Sequence, residues 1–170
     1  YMKDAIGLRA DDAFWNIADP GWAYGLYYGI TGPLLLGHAT LFYEGGFSID
    51  SLCQIIDDYK ITNLAGAPTA YRMMMAADPA QMAQLKGKFR VVSSAGEPLN
   101  PEVIRWFEQV LDVPIYDHYG QTEVGMVVCN HHALEHPVRS GAAGFASPGY
   151  RITVVDEQGQ GFFCGLRRPF

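Results

Sequence analysis

Two short stretches gather residue types that could hold a nucleotide. The loop Ala95-Gly96-Glu97-Pro98-Leu99 supplies a glycine and a carboxylate, and Tyr119-Gly120-Gln121-Thr122-Glu123 supplies an aromatic ring, a hydroxyl and a second carboxylate. A flat heteroaromatic could stack on Tyr119 against the backbone of Gly96-Glu97-Pro98, where a side chain at 96 would obstruct it. Thr122 is suited to donate to a phosphate, and Glu123 is a hard oxygen ligand of the kind Mg²⁺ takes. Short motifs also arise as plain strand-to-helix turns, here with Glu97 solvated and Tyr119 packed on a neighbour. Spatial adjacency of the two stretches separates these readings.

A third candidate points to different chemistry. His132-Ala133-Leu134-Glu135-His136, with His131 beside it, has the H-x-x-E-H order of inverted zinc metallopeptidases. A zinc hydrolase built on it needs a helix that puts both histidines on one face. Val127-Val128 before it reads as strand and Pro137 follows at once, so a surface turn is expected. His38 is expected to be a satisfied buried imidazole, and Met73-Met74-Met75 an adaptable piece of core.

The elements that would position these residues follow an α/β pattern. From about residue 39, short β-rich runs alternate with helical patterns, as in parallel βαβ units. Strands are expected at 39–43, 61–65, 89–93 and 114–117. Ser48 should cap a helix burying Leu52, Ile55, Ile56 and Tyr59. Pro68 should open a helix packing Tyr71, Met74 and Met75, stopped by Asp78-Pro79. Asn100, Pro101 and Glu102 start the best-marked helix, with Val103, Ile104, Phe107, Val110 and Leu111 inward. The stretches at 95–99 and 119–123 are then the loops leaving two successive parallel strands. A right-handed crossover places both at the carboxyl edge of the sheet, where ligands bind. From Val124 to Val155 only short strands and Gly/Pro turns remain. The chain thus divides into an α/β part (1–123), a β-rich segment (124–160) and a tail (161–170) that fits neither strand nor helix. Its ends do not read as domain ends.

Composition narrows the function classes. A chain of 170 residues, 49% apolar and 18% charged, can bury one sizeable core. A net charge of -6 with no Lys/Arg cluster gives no footprint for nucleic acid. Apolar runs such as Leu34-Leu35-Leu36 end far short of the roughly 18 residues a transmembrane helix needs, so a soluble cytoplasmic protein is expected. Cys53, Cys129 and Cys164 lack metal or redox spacing and are expected to be buried or idle thiols.

Several separated stretches in register resemble the adenylate-forming, AMP-binding superfamily, with the order and spacing of acetyl-CoA and medium-chain acyl-CoA synthetases. They are Ala18-Asp19-Pro20-Gly21-Trp22, Gly66 to Arg72, Ser93 to Glu102, Asp117 to Glu123, and Pro148-Gly149-Tyr150 with Val154-Val155-Asp156. The resemblance runs from about 12 to 160 and implies a central piece of that family's larger domain, with 1–123 a partial AMP-binding subdomain. By it, Gly96, Glu97 and Pro98 form one wall of an adenine site and Asp117, His118, Tyr119, Gly120 and Gln121 contribute to the other. Thr122 would contact the α-phosphate and Glu123 would bind Mg²⁺. The implied reaction joins a small-molecule carboxylate to ATP, giving an acyl-adenylate and pyrophosphate, after which the CoA thiol takes the acyl group.

The resemblance also bears on the acyl group. Acetate-specific relatives carry a bulky aromatic at the position matching Gly120, so a glycine implies an acyl chain longer than acetyl. Trp22, Tyr24 and Ala95 are the other wall candidates, with plain core packing the alternative for Trp22. The family's phosphate loop ending in Lys, its ribose-binding Asp and its C-terminal domain with the adenylation Lys are absent from these residues. The chain alone is therefore expected to be inactive, and a truncated binding module or gene remnant is the non-enzymatic alternative.

Overall fold

A computed structural model describes residues 1–162. Its centre is a six-stranded sheet of β1 (Phe14–Asn16), β2 (Asn63–Gly66), β3 (Val91–Ala95), β4 (Ile115–Gln121), β5 (Gly125–Cys129) and β6 (Phe145–Ala146), in that spatial order. β1 to β4 run parallel, and β5 and β6 return antiparallel. Every residue of β1, β2 and β3 is buried, as expected of parallel strands covered on both faces. A separate ribbon pairs β7 (Val154–Val155) with β8 (Gly161–Phe162). Mixed α/β structure on a mostly parallel sheet, passing into short β-strands, is thus the architecture.

Alternation along the strands feeds two cores. Trp15, Leu64 and Val92 face the helices, whereas Phe14, Ala65 and Ala95 face the N-terminal segment with Met2, Ile6 and Tyr24. On the side of the N-terminal segment lie α1 (Ala23–Gly25), a π-helical turn (Leu26–Thr31) and α2 (Gly32–Leu35). In α3 (Ile49–Tyr59) Ser48 caps the Ser51 amide in a capping box. Leu52, Ile55 and Ile56 are buried as the spacing predicts, but Tyr59, the last residue of the helix, is exposed. α4 (Pro68–Met75) buries Tyr71 and Met74 and leaves Met73 exposed, so the methionine run is core only in part. α6 (Pro101–Trp106) is capped by the Asn100 side chain and continues as a π turn, Phe107–Leu111, burying Val103, Phe107 and Leu111.

Five expectations are corrected. The run 39–43 forms no strand; the place beside β2 is taken by β1. β1 itself lies upstream of where the alternation was read to start. Asp78-Pro79 does not simply end a helix; the Asp78 side chain caps a further short one, α5 (Pro79–Ala83). Gly161 and Phe162, read as neither strand nor helix, pair with Val155 and Val154; the rest of the tail, including Cys164, lies outside the described residues. His38 is only partly buried. Cys129 is buried, with its thiol pushed up to about 11 chiefly by desolvation, and Cys53 is partly buried. No helix among the described residues is long and apolar enough to cross a membrane.

Candidate functional site

β3 and β4 are adjacent and parallel, with Ala95 opposite His118, so the loop after β3 and the end of β4 meet at one edge of the sheet. Gly96 takes φ +96°, a conformation that L side chains rarely adopt, and the space a Cβ would fill is open. The Tyr119 ring is 50% exposed, available for stacking rather than packed on a neighbour. Glu97 is not merely solvated. Its Oε2 accepts from Arg72 Nη2 at 2.7 Å and its Oε1 from the Thr69 hydroxyl at 2.8 Å. On the other side of the loop, the Leu99 N–H points to Asp117 Oδ2 at 3.4 Å. Burial pushes the Asp117 carboxyl up to about 6, against the lowering effect of the Leu99 and His118 amides.

The stretch 119–123 is not a loop to a helix. β4 extends to Gln121, and Thr122 and Glu123 sit exposed on the turn into β5. Two tyrosines from elsewhere hold that hairpin. Tyr28 Oη accepts from the Met126 N–H at 3.0 Å, and the Tyr150 hydroxyl donates to the Val124 carbonyl at 2.9 Å. Neither tyrosine was legible as a site residue, although Tyr150 belongs to the Pro148-Gly149-Tyr150 stretch.

Gly120 has a local cause. The register shifts between Tyr119 and Gly120, and a Cβ at 120 would lie 2.3 Å from the Gly125 carbonyl oxygen and 2.8 Å from Met126 Cα. The missing side chain accommodates the hairpin's own backbone, so acyl length does not follow from it. Tyr24 and Ala95 share the second core with Met126, but Trp22 is 76% exposed and joins neither core. Plain core packing of Trp22 is thereby ruled out.

His118 falls on the face of β4 opposite to Tyr119 and Asp117. Its buried ring donates from Nε2 to the Asn130 carbonyl at 2.8 Å, so Nδ1 accepts from the Tyr1 hydroxyl, also at 2.8 Å. Desolvation, with His132 nearby, drives its pKa down to about 3, and it stays neutral. Both nitrogens are occupied inside the fold, which removes His118 from the nucleotide wall. The zinc reading is corrected too. Residues 131–136 form no helix; the half-buried His132 ring stacks on Tyr116 and donates to the Val92 carbonyl, while His136 Nε2 accepts from the His131 amide. Among the described residues, no three His, Cys, Asp or Glu side chains gather to hold a metal.

The family described as AMP-binding enzyme matches residues 1–164, past the point where the family pattern was expected to stop. The chain is 38% identical over 159 residues to acetyl-coenzyme A synthetase of Bacillus subtilis, covering 92% of this chain and 27% of that protein. It is 34% identical over 157 residues to the mitochondrial acyl-coenzyme A synthetase ACSM3 of Mus musculus, covering 91% and 26%. The crystal structure of Brucella canis acyl-CoA synthetase superposes with a TM-score of 0.93 at 65% identity, over 95% of this chain and 30% of that one. The chain thus spans about a quarter of the length of the curated relatives it matches.

Proposed function

The chain belongs to the AMP-binding enzyme family, and from that premise we propose that it supplies part of the adenylate site of an AMP-forming acyl-CoA synthetase. The observation that carries this is the meeting of the Gly96 loop and the Tyr119 end of β4 at one sheet edge, with open space at Gly96 and an exposed ring at Tyr119. A purine fits that arrangement. Gly96-Glu97-Pro98 and Tyr119 would bracket the base, and Asp117 beside them, titrating near 6, could accept from a ring amine. Thr122 and Glu123 project from the hairpin turn toward solvent, where the phosphates of a bound ATP would be reached.

In the proposed reaction a substrate carboxylate oxygen bonds to the α-phosphorus as the bond to the pyrophosphate oxygen breaks. The acyl carbon then passes to the CoA sulfur with release of AMP. Glu123 is a lone exposed carboxylate, which suits Mg²⁺, an ion that takes most of its ligands from phosphates and water; when bound, that ion offsets charge on the leaving pyrophosphate. The part played by this chain is to position the base and the α-phosphate. Because the family's Lys-bearing segments are not among these residues, the 170-residue chain by itself should release no pyrophosphate from ATP and a carboxylate.

The reading is tested by grafting this segment in place of its 65%-identical counterpart in the Brucella canis synthetase. The chimera should support carboxylate-dependent ATP–pyrophosphate exchange, and Glu123→Gln within it should lower kcat roughly a hundredfold or more, as expected for loss of a charge-stabilising group. A folded chimera without exchange, or an unaffected Glu123→Gln variant, would sink the proposal. A series of acids from acetate to decanoate in the same chimera reads the acyl length.

A further inference from the structure

The loop 96–98 makes no backbone hydrogen bond of its own among the described residues, and its shape is held by side chains. On one flank stands a closed triangle: Arg72 Nη2 donates to Glu97 Oε2 and to Thr69 Oγ1, both at 2.7 Å, and the Thr69 hydroxyl donates to Glu97 Oε1. Thr69 and Arg72 sit in the first turns of α4, which follows β2, and Glu97 follows β3. Since β2 and β3 are parallel neighbours, the triangle bridges two successive loops of the same sheet edge. Both carboxylate oxygens of Glu97 are engaged, and its pKa is lowered chiefly by the Arg72 hydrogen bond, then by that from Thr69. An exposed ion pair of this kind adds little to global stability. Its leverage is local: Gly96 and Glu97 have few other restraints, and an unpaired anionic Glu97 would repel an approaching phosphate.

We propose that Arg72, with Thr69, is a positioning residue: it fixes the backbone of Gly96-Glu97-Pro98 and neutralises Glu97 at the edge where a nucleotide meets the sheet. The positioning half stands on the loop geometry alone, and the nucleotide half rests on the adenylate-site reading above. Neither Arg72 nor Thr69 needs to touch the ligand.

Backbone ¹⁵N order parameters of the 170-residue chain, followed residue by residue, test the first half. Arg72→Ala and Glu97→Gln should each lower the values at Gly96 and Glu97 from the rigid range of about 0.85 toward about 0.6, with Leu64 and Val92 in β2 and β3 unchanged. Arg72→Lys should fall between, because an ammonium cannot reproduce the guanidinium fork. Molar salt should lower the loop values of the native chain toward those of Arg72→Ala and leave that variant flat, a response that loss of packing alone would not give. Loop values unchanged in both variants, or insensitive to salt, overturn the positioning role. AMP binding by calorimetry tests the second half: Arg72→Ala should weaken it about threefold or more, and equal affinity overturns the link to nucleotide. No binding of AMP by the native chain counts against the nucleotide reading itself, while the order parameters still decide the clamp.

Discussion

At the scale of single residues, the same sheet edge carries carboxylates pushed in opposite directions. Glu97 is held ionised by Arg72 and Thr69, whereas burial raises Asp117 to about 6. For Asp117 the folded state therefore prefers the protonated form. Its contribution to stability is complete below the unfolded carboxylate range near about 4 and is lost as pH rises through about 6. Asp117→Asn should consequently raise the urea midpoint at pH 7 and flatten the fall in stability between about pH 4 and 6 relative to the native chain. Parallel pH profiles for the two proteins would show that Asp117 carries no such penalty. His118, next in sequence, faces the opposite core, and strand alternation alone is enough to divide adjacent residues between a site and a core.

At the scale of elements, the β4–β5 hairpin decides how the motif at 119–123 is presented. Its turn sets Thr122 and Glu123 outward, and Tyr28 and Tyr150 pin it from outside the hairpin. Gly120 lets β5 approach closely, so Gly120→Ala should overpack the hairpin and cost about 1–3 kcal/mol in equilibrium denaturation. A neutral Gly120→Ala variant would restore the view that the position faces open space. The hydrophobic and capping patterns of α3, α4 and α6 were legible because Ser48, Pro68, Asn100 and Pro101 act within a turn of the helix they start. The π turns, the short α5 and the failed strand at 39–43 were not, since each depends on what neighbouring elements leave available.

Across the whole molecule, the end of the sheet away from the candidate site is tied by a half-buried ion pair. Asp12, before β1, accepts from Arg90 Nε at 2.9 Å and from Arg90 Nη2, as well as from Asn63 and Thr62 at the start of β2. Burial alone would raise the Asp12 pKa; the bonds from Arg90, the Arg9 amide and Asn63 outweigh it and bring the pKa below the usual value. Its stabilisation is present above the unfolded carboxylate pKa and is lost as pH falls below it. Asp12→Asn leaves Arg90 without its counter-charge and should destabilise the chain by about 2 kcal/mol in urea, discounted from a fully buried pair because Arg90 is partly exposed. Arg90→Met added to Asp12→Asn should recover part of the loss; strict additivity would show the two groups to be uncoupled.

Taken alone, the sequence determined the α/β class, the main helices and their inner faces, and the two stretches at 95–99 and 119–123. These follow from local periodicity, caps and short motifs, whose physics acts over a few residues. Only the tertiary structure decided that the two stretches meet, that 119–121 continue a strand, that the His118 ring is bonded inside the fold and Trp22 lies outside both cores, and that Arg72 and Thr69 hold Glu97. Each of those depends on contacts between residues far apart in the chain: Arg72 and Glu97 are 25 positions apart and Tyr1 and His118 are 117, distances over which no local pattern specifies a partner.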